Sequence, residues 1–189
     1  MINLDDGLVL IGPGSEWFWT AFQGVVVAVT LWALWRQLRL QIAQKLRDDV
    51  ATLRAEYFSE RMLRYRLVVW TAFRDDTPPH EIPRGAAFAL EYFFDEVAGF
   101  TRAKHLDKSV MAENMGAYAC TAWTALEPFI LYVRQDQDET FAEPLEWFVK
   151  EMLRVDPTLA TELDLPKWRY AQGVVRLEEL IAVETALRH

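Results

Sequence analysis

The sequence predicts an all-α protein: an N-terminal apolar helix that continues into a stalk, followed by a helical bundle. Three observations predict it. The stretch from Trp17 to Trp35, WFWTAFQGVVVAVTLWALW, is 19 residues without a charge. After Gly24 the next glycine is Gly85, and after Pro13 the next proline is Pro78, so nothing in 25–74 must break a helix. No later window alternates strictly between apolar and polar residues with turn dipeptides, so no sheet is expected.

Composition sets the bounds. The chain has 189 residues, 52% hydrophobic and 25% charged, which is enough for one packed domain with an appendage and too apolar for disorder. A single Cys excludes a disulfide framework and a four-Cys zinc site. The net charge of −8 argues against a general nucleic-acid binder. Residues 1–35 carry no Lys or Arg, whereas 36–66 carry eight bases (Arg36, Arg39, Lys45, Arg47, Arg54, Arg61, Arg64, Arg66) against four acids.

As a helix the Trp17–Trp35 stretch spans roughly 28 Å, close to a bilayer's hydrocarbon core. Trp17 and Trp19 stand at one end and Trp32 and Trp35 at the other, the places where indoles meet headgroups. Gly12, Pro13 and Gly14 punctuate the chain before it, and Ser15 with Glu16 offers an N-cap and a first-turn acid. Met1–Glu16 has no base, unlike a signal peptide. The expected segments are a short external N-terminus over 1–15, a transmembrane helix over 16–36, a basic juxtamembrane stalk over 37–73 and a cytoplasmic helical domain over 74–189. Arg36, Arg39, Lys45 and Arg47 follow the span and none precedes it, so the positive-inside rule puts the N-terminus outside. These four also lie within reach of anionic lipid headgroups. Thr20, Gly24 and Ala28 recur every fourth residue and suit close helix packing in a membrane, with the Gln23 amide needing a partner at that depth.

Leu38, Ile42, Leu46, Val50, Leu53 and Tyr57 form one helical stripe that carries the stalk to about Tyr57. Ser59 is a candidate N-cap for a helix over 60–73; without a break there the whole helix would reach about 90 Å. The segment RDDTPPHEIPRG (74–85) is a loop. A core helix follows over 86–101. Asp107 caps a fourth helix, which Pro128 kinks or restarts. Thr140 starts a short helix, Asp156-Pro157 opens another cap, and Pro166 begins the last helix.

The single N-terminal span, LWRQLRLQ, FFDEVAGF, LDKSV, PFILYVRQD and FAEPLEWFVKEM resemble the bacterial domain-of-unknown-function family 4760 over roughly residues 17–153. That resemblance implies one membrane helix and a helical cytoplasmic part, with no activity attached. At the level of architecture the chain is also similar to small membrane-anchored accessory proteins of some CRISPR systems, some of which assemble ring-shaped pores.

The chemical motifs are sparse. Arg74 and His80 form R-x5-H, the spacing that HEPN ribonucleases use, with His as general base and Arg on the phosphate. Two prolines precede His80, and the acidic body is a poor RNA platform. Glu91 and Asp95 share a helix face, with His105 and Glu113 nearby in sequence, but no paired Glu-x-x-His exists, so a solvated acidic face is expected and no metal. His105, with Arg102 and Lys104, fits the end of the third helix. Cys120 reads as a small buried residue, and Trp123, Trp147 and Trp168 as core or interface. No Walker loop, G-x-G-x-x-G, H-E-x-x-H or G-x-S-x-G occurs, and neither a cofactor nor a small-molecule substrate is indicated. The expected role is that of a non-enzymatic, single-pass inner-membrane protein working through the bilayer, as a homo-oligomer or an accessory subunit of a membrane complex. The alternatives are a homo-oligomeric pore in defence and a membrane-tethered HEPN-like ribonuclease.

Overall fold

The computed structural model describes residues 3–4, 8–9 and 16–186; side chains are described over 16–186 except 43 and 184. Gly12, Pro13, Gly14 and Ser15, the expected punctuation and N-cap, lie outside the described residues. The chain divides into two units, residues 1–47 and 48–189.

The first unit holds a minimal antiparallel pair that the sequence does not announce. In it β1 (Asn3–Leu4) meets β2 (Leu8–Val9), with Asn3 opposite Val9 and Leu4 opposite Leu8. The rest of the described chain is helical and turn, and the fold is all-α. Helix α1 (Glu16–Tyr57) starts in this unit and is long and apolar enough to cross a membrane. Its apolar window has no buried residue. The Thr20 and Thr30 hydroxyls donate to the carbonyls of Glu16 and Val26, each at 2.8 Å, which hides two polar groups against the helix.

In the second unit the last turns of α1 enter a core. Val50, Leu53 and Tyr57 are buried, whereas Leu38 and Ile42 of the same stripe are exposed. The second unit therefore begins at Asp48, within the 37–73 segment expected as the stalk. No continuous helix runs past Ser59. The chain turns at Phe58–Ser59, and the Ser59 hydroxyl accepts from the Met62 N–H at 3.3 Å to start α2 (Glu60–Arg74). A 3₁₀ turn (Pro79–Glu81) leads to α3 (Arg84–Arg102). Lys104 then adopts φ 60°, and the His105 N–H closes the helix end on the Phe100 carbonyl at 3.0 Å.

The Asp107 carboxylate accepts from the N–H groups of Ser109 (2.9 Å) and Val110 (3.2 Å), opening α4 (Lys108–Met111) as expected. The irregularity expected at Pro128 falls elsewhere. A π-helical turn occupies Ala112–Gly116, and α5 (Ala117–Asp136) runs through Pro128, whose ring is on an exposed face. At Gly116 a Cβ would stand 2.6 Å from Leu159 Cδ1, so the bulge seats a glycine where the next turn comes closest. Helix α6 spans Glu143–Val155. Thr140 does not start it; its hydroxyl and N–H both donate to Asp138, and the first helical turn begins after Ala142 at φ 59°. The Asp156 carboxylate then caps a 3₁₀ turn (Pro157–Leu159) through the Thr158 N–H at 3.0 Å, leading into α7 (Ala160–Leu163) and α8 (Lys167–Ala186).

Within this unit α8 lies along α2, α3 packs against α2 and α6, and α5 contacts α3, α6 and α7. The fully buried aromatic side chains Tyr57, Phe94, Phe129, Phe148 and Tyr170 come from five helices and lie in the core. Burial at roughly 25 cal/mol per Å² of apolar area is what holds these short helices, which would be marginal alone. Gly173 lets α8 approach α2, since a Cβ there would sit 3.0 Å from the Trp70 ring.

Candidate functional site

The exposed half of α1 is the first candidate region. Trp17, Trp19, Trp32 and Trp35 are all about half exposed or more, and Trp17, Phe18, Trp19 and Phe22 form a chain of edge-on ring contacts at 5.5–6.1 Å. At the other end the Arg36 guanidinium lies 5.8 Å from the Trp32 ring and that of Arg39 lies 4.1 Å from Trp35. Each Arg sits four residues after its Trp, the spacing that stacks side chains on one helix face. Arg36, Arg39, Lys45 and Arg47 are exposed, and no ion pair engages them among the described residues. Thr20, Gln23, Gly24 and Ala28 are exposed too, and a Cβ on Gly24 would meet nothing within 4 Å.

Among the described residues the second unit holds three buried charged side chains: Arg66, Glu91 and Glu151. Glu151 is the ordinary case. It pairs with Lys108 and Arg154, each at 2.7 Å, and these contacts hold its carboxyl below the usual range. The other two are not ordinary.

Arg66 is 2% exposed, yet its Nε and Nη2 have no hydrogen-bond partner and no carboxylate pairs with it. Aromatic faces surround it instead. The guanidinium carbon is 4.0 Å from the Tyr57 ring, 5.1 Å from Phe58 and 5.7 Å from Trp70. Two neighbouring donors are orphaned as well, the Tyr57 hydroxyl and the Trp70 indole N–H. Burial pushes the Tyr57 phenol up, with the Arg66 cation opposing. Arg66 lines a cavity of about 500 Å³ between α2, α5 and the α7–α8 segment. Trp70, Tyr118 and Tyr170 supply ring surface to it, Arg169 and Arg176 add two more cations, and Glu162 is the acid among its lining residues. The Tyr170 hydroxyl donates to the Thr121 carbonyl at 3.2 Å.

Glu91 corrects the expectation of a solvated acidic face. It is 1% exposed, and its Oε2 has no partner. Burial, reinforced by Asp95 one turn on, pushes Glu91 up to about 9, so it is a neutral acid at pH 7. Asp95 does structural work: its Oδ1 accepts the Leu145 N–H at 2.9 Å, supplying from α3 the cap that Ala142 cannot give to α6.

The other sequence candidates are scattered. Arg74 grips Asp75 with Nε–Oδ1 at 2.7 Å and Nη2–Oδ2 at 3.0 Å, His80 lies 3.6 Å from Glu81, and no contact joins Arg74 to His80. Nothing in their placement favours the ribonuclease reading. Cys120 is buried, and burial raises its thiol to about 11. Trp123 and Trp147 are half-buried, whereas Trp168 is exposed and so lies outside the core. His105 and Glu113 are exposed, and no group of three or more metal-ligating side chains gathers among the described residues.

Both unusual groups carried a signal in the sequence. Met62, Arg66 and Val69 follow helical spacing, as do Ala87, Glu91, Phe94 and Ala98; each charge stands in the middle of an otherwise apolar stripe.

Fold and side chains together define an all-α protein in which one long, exposed, apolar helix leads into a helical body. The chain belongs to the family described as domain of unknown function (DUF4760), whose model matches residues 20–152. The match ends before α8, so the cavity joins family positions on α2 and α5 to residues beyond the matched span. No curated protein and no solved structure gives a significant match.

Proposed function

We propose that this chain is a single-pass protein of a bacterial inner membrane, anchored by the first half of α1, with its N-terminus outside and its helical body in the cytoplasm. Its work is assembly: self-association, or service as an accessory subunit of a membrane complex. The observation that carries the reading is the Trp17–Trp35 surface, uncharged and dominated by apolar side chains, unburied, and ended by Trp32–Arg36 and Trp35–Arg39 stacking. An apolar surface this extensive is not kept in water, and a lipid phase satisfies it. Rings at the headgroup level with cations just beyond them suit the cytoplasmic boundary. The small-residue face of Thr20, Gly24 and Ala28 supports helix–helix contact, and the Gln23 amide gains a partner when two copies meet.

The test is purification in mild detergent followed by light scattering, with identification of what co-elutes. A discrete oligomer or a stoichiometric partner is expected, and Gly24→Leu should shift a self-associated species toward monomer. A monomer with no partner would contradict the reading. A large ring that releases dye from liposomes would move it to the pore-forming alternative.

A further inference from the structure

We propose that the cavity between α2, α5 and the α7–α8 segment is a binding site for an aromatic oxyanion: a flat apolar body carrying a carboxylate or phosphoryl group. The buried Arg66 recognises the anion, and the rings of Trp70, Tyr118 and Tyr170 stack on the body.

A guanidinium withdrawn from water requires an anion or a full set of hydrogen bonds, and removing either partner of such a pair is strongly destabilising. Arg66 has neither, although it is 2% exposed and two of its nitrogens are sealed and unpartnered. The Tyr57, Phe58 and Trp70 rings offset part of this through cation–π attraction, which satisfies no N–H. Glu151 shows that this same fold pairs a buried charge when the pairing is internal. The volume, about 500 Å³, lies within the range of small-molecule sites and far exceeds what a lone inorganic ion fills. The lining carries three arginines against Glu162, so the field inside favours negative charge. Arg169 and Arg176 are exposed on α8, which places them to draw an anion in, while Arg66 is fixed before binding. A planar, weakly hydrated cation beside aromatic faces suits an oxyanion joined to a ring.

The experiment is isothermal titration of the full chain in lipid nanodiscs, corrected against empty nanodiscs. The probes are 2-naphthyl phosphate, 2-naphthoate and the neutral 2-naphthol. Both anions should bind at one site per chain, and 2-naphthol at least about tenfold more weakly. Tighter binding of the phosphate assigns a phosphoryl ligand; tighter binding of the carboxylate assigns an organic acid. Arg66→Met should weaken both anions at least about tenfold, and Arg66→Lys by less. Equal affinity for 2-naphthol, undiminished binding by an Arg66→Met chain with unchanged helical circular dichroism, or no binding of either anion at about 1 mM overturns the proposal. If Arg66→Met does not fold, the surface variant Arg169→Glu/Arg176→Glu decides. A several-fold loss of anion affinity supports the site, and unchanged affinity refutes it.

Discussion

The Arg66 guanidinium stacks on the face of Tyr57 at 4.0 Å, joining the end of α1 to the middle of α2 across the Phe58–Ser59 turn. Tyr57 is fully buried against Phe93, Phe94 and Tyr118 at ring distances of 5.0–5.7 Å, while its hydroxyl finds no partner. The ring and the hydroxyl should therefore have opposite worth. Tyr57→Phe keeps the ring under the cation and removes an unsatisfied donor, so stability should hold or rise by about 1 kcal/mol. Tyr57→Ala should lose about 3–5 kcal/mol. Denaturant midpoints of the two variants check this, and a Tyr57→Phe loss comparable to that of Tyr57→Ala would refute it.

Glu91 makes stability depend on pH in a stated direction. Its folded value, about 9, lies above the ordinary 4.5, so between these the native state holds a proton that the unfolded chain has released. Stability then falls as pH rises through that window, by at most about 1.4 kcal/mol per pH unit, and the loss is complete above the folded value. Glu91→Gln mimics the neutral acid. Its melting temperature should exceed that of the parent at pH 8, and the difference should shrink toward pH 5. Parallel melting curves across that range would show that Glu91 is ionised in the fold.

Lys104 occupies the left-handed position that ends α3, with φ 60° and an exposed side chain. A side chain bearing Cβ costs about 1 kcal/mol there and glycine avoids it. Lys104→Gly should raise stability by about 0.5–1 kcal/mol, read from the denaturant midpoint. A loss would mean that the lysine side chain contributes more than its backbone strain.

The helix caps were legible because they are local. Ser59, Asp107 and Asp156 each accept an N–H two or three residues on, a pattern visible within a few letters. The π turn at Ala112–Gly116 was not legible, since its glycine answers to Leu159, forty-three positions away. Pro128 misled for the same reason: its local rule favours a break, and the packing of Ala125, Leu126, Phe129 and Ile130 around it overrides that rule. The apolar stripe of α1 read as uniform, and only tertiary contact separates exposed Leu38 and Ile42 from buried Val50, Leu53 and Tyr57. Charged side chains are ordinarily solvated, so only their places within apolar stripes mark Arg66 and Glu91 in the sequence.

The membrane span and its direction can be measured together. Single cysteines in a Cys120→Ser background, Asn3→Cys and Glu127→Cys, can be probed on intact cells expressing the chain with a membrane-impermeant maleimide, alongside a carbonate wash of their membranes. The protein should stay in the washed membrane, Asn3→Cys should be labelled from outside once the outer envelope is opened, and Glu127→Cys should be labelled only after lysis. Release of the chain into the soluble fraction, or the reverse labelling order, would contradict this topology.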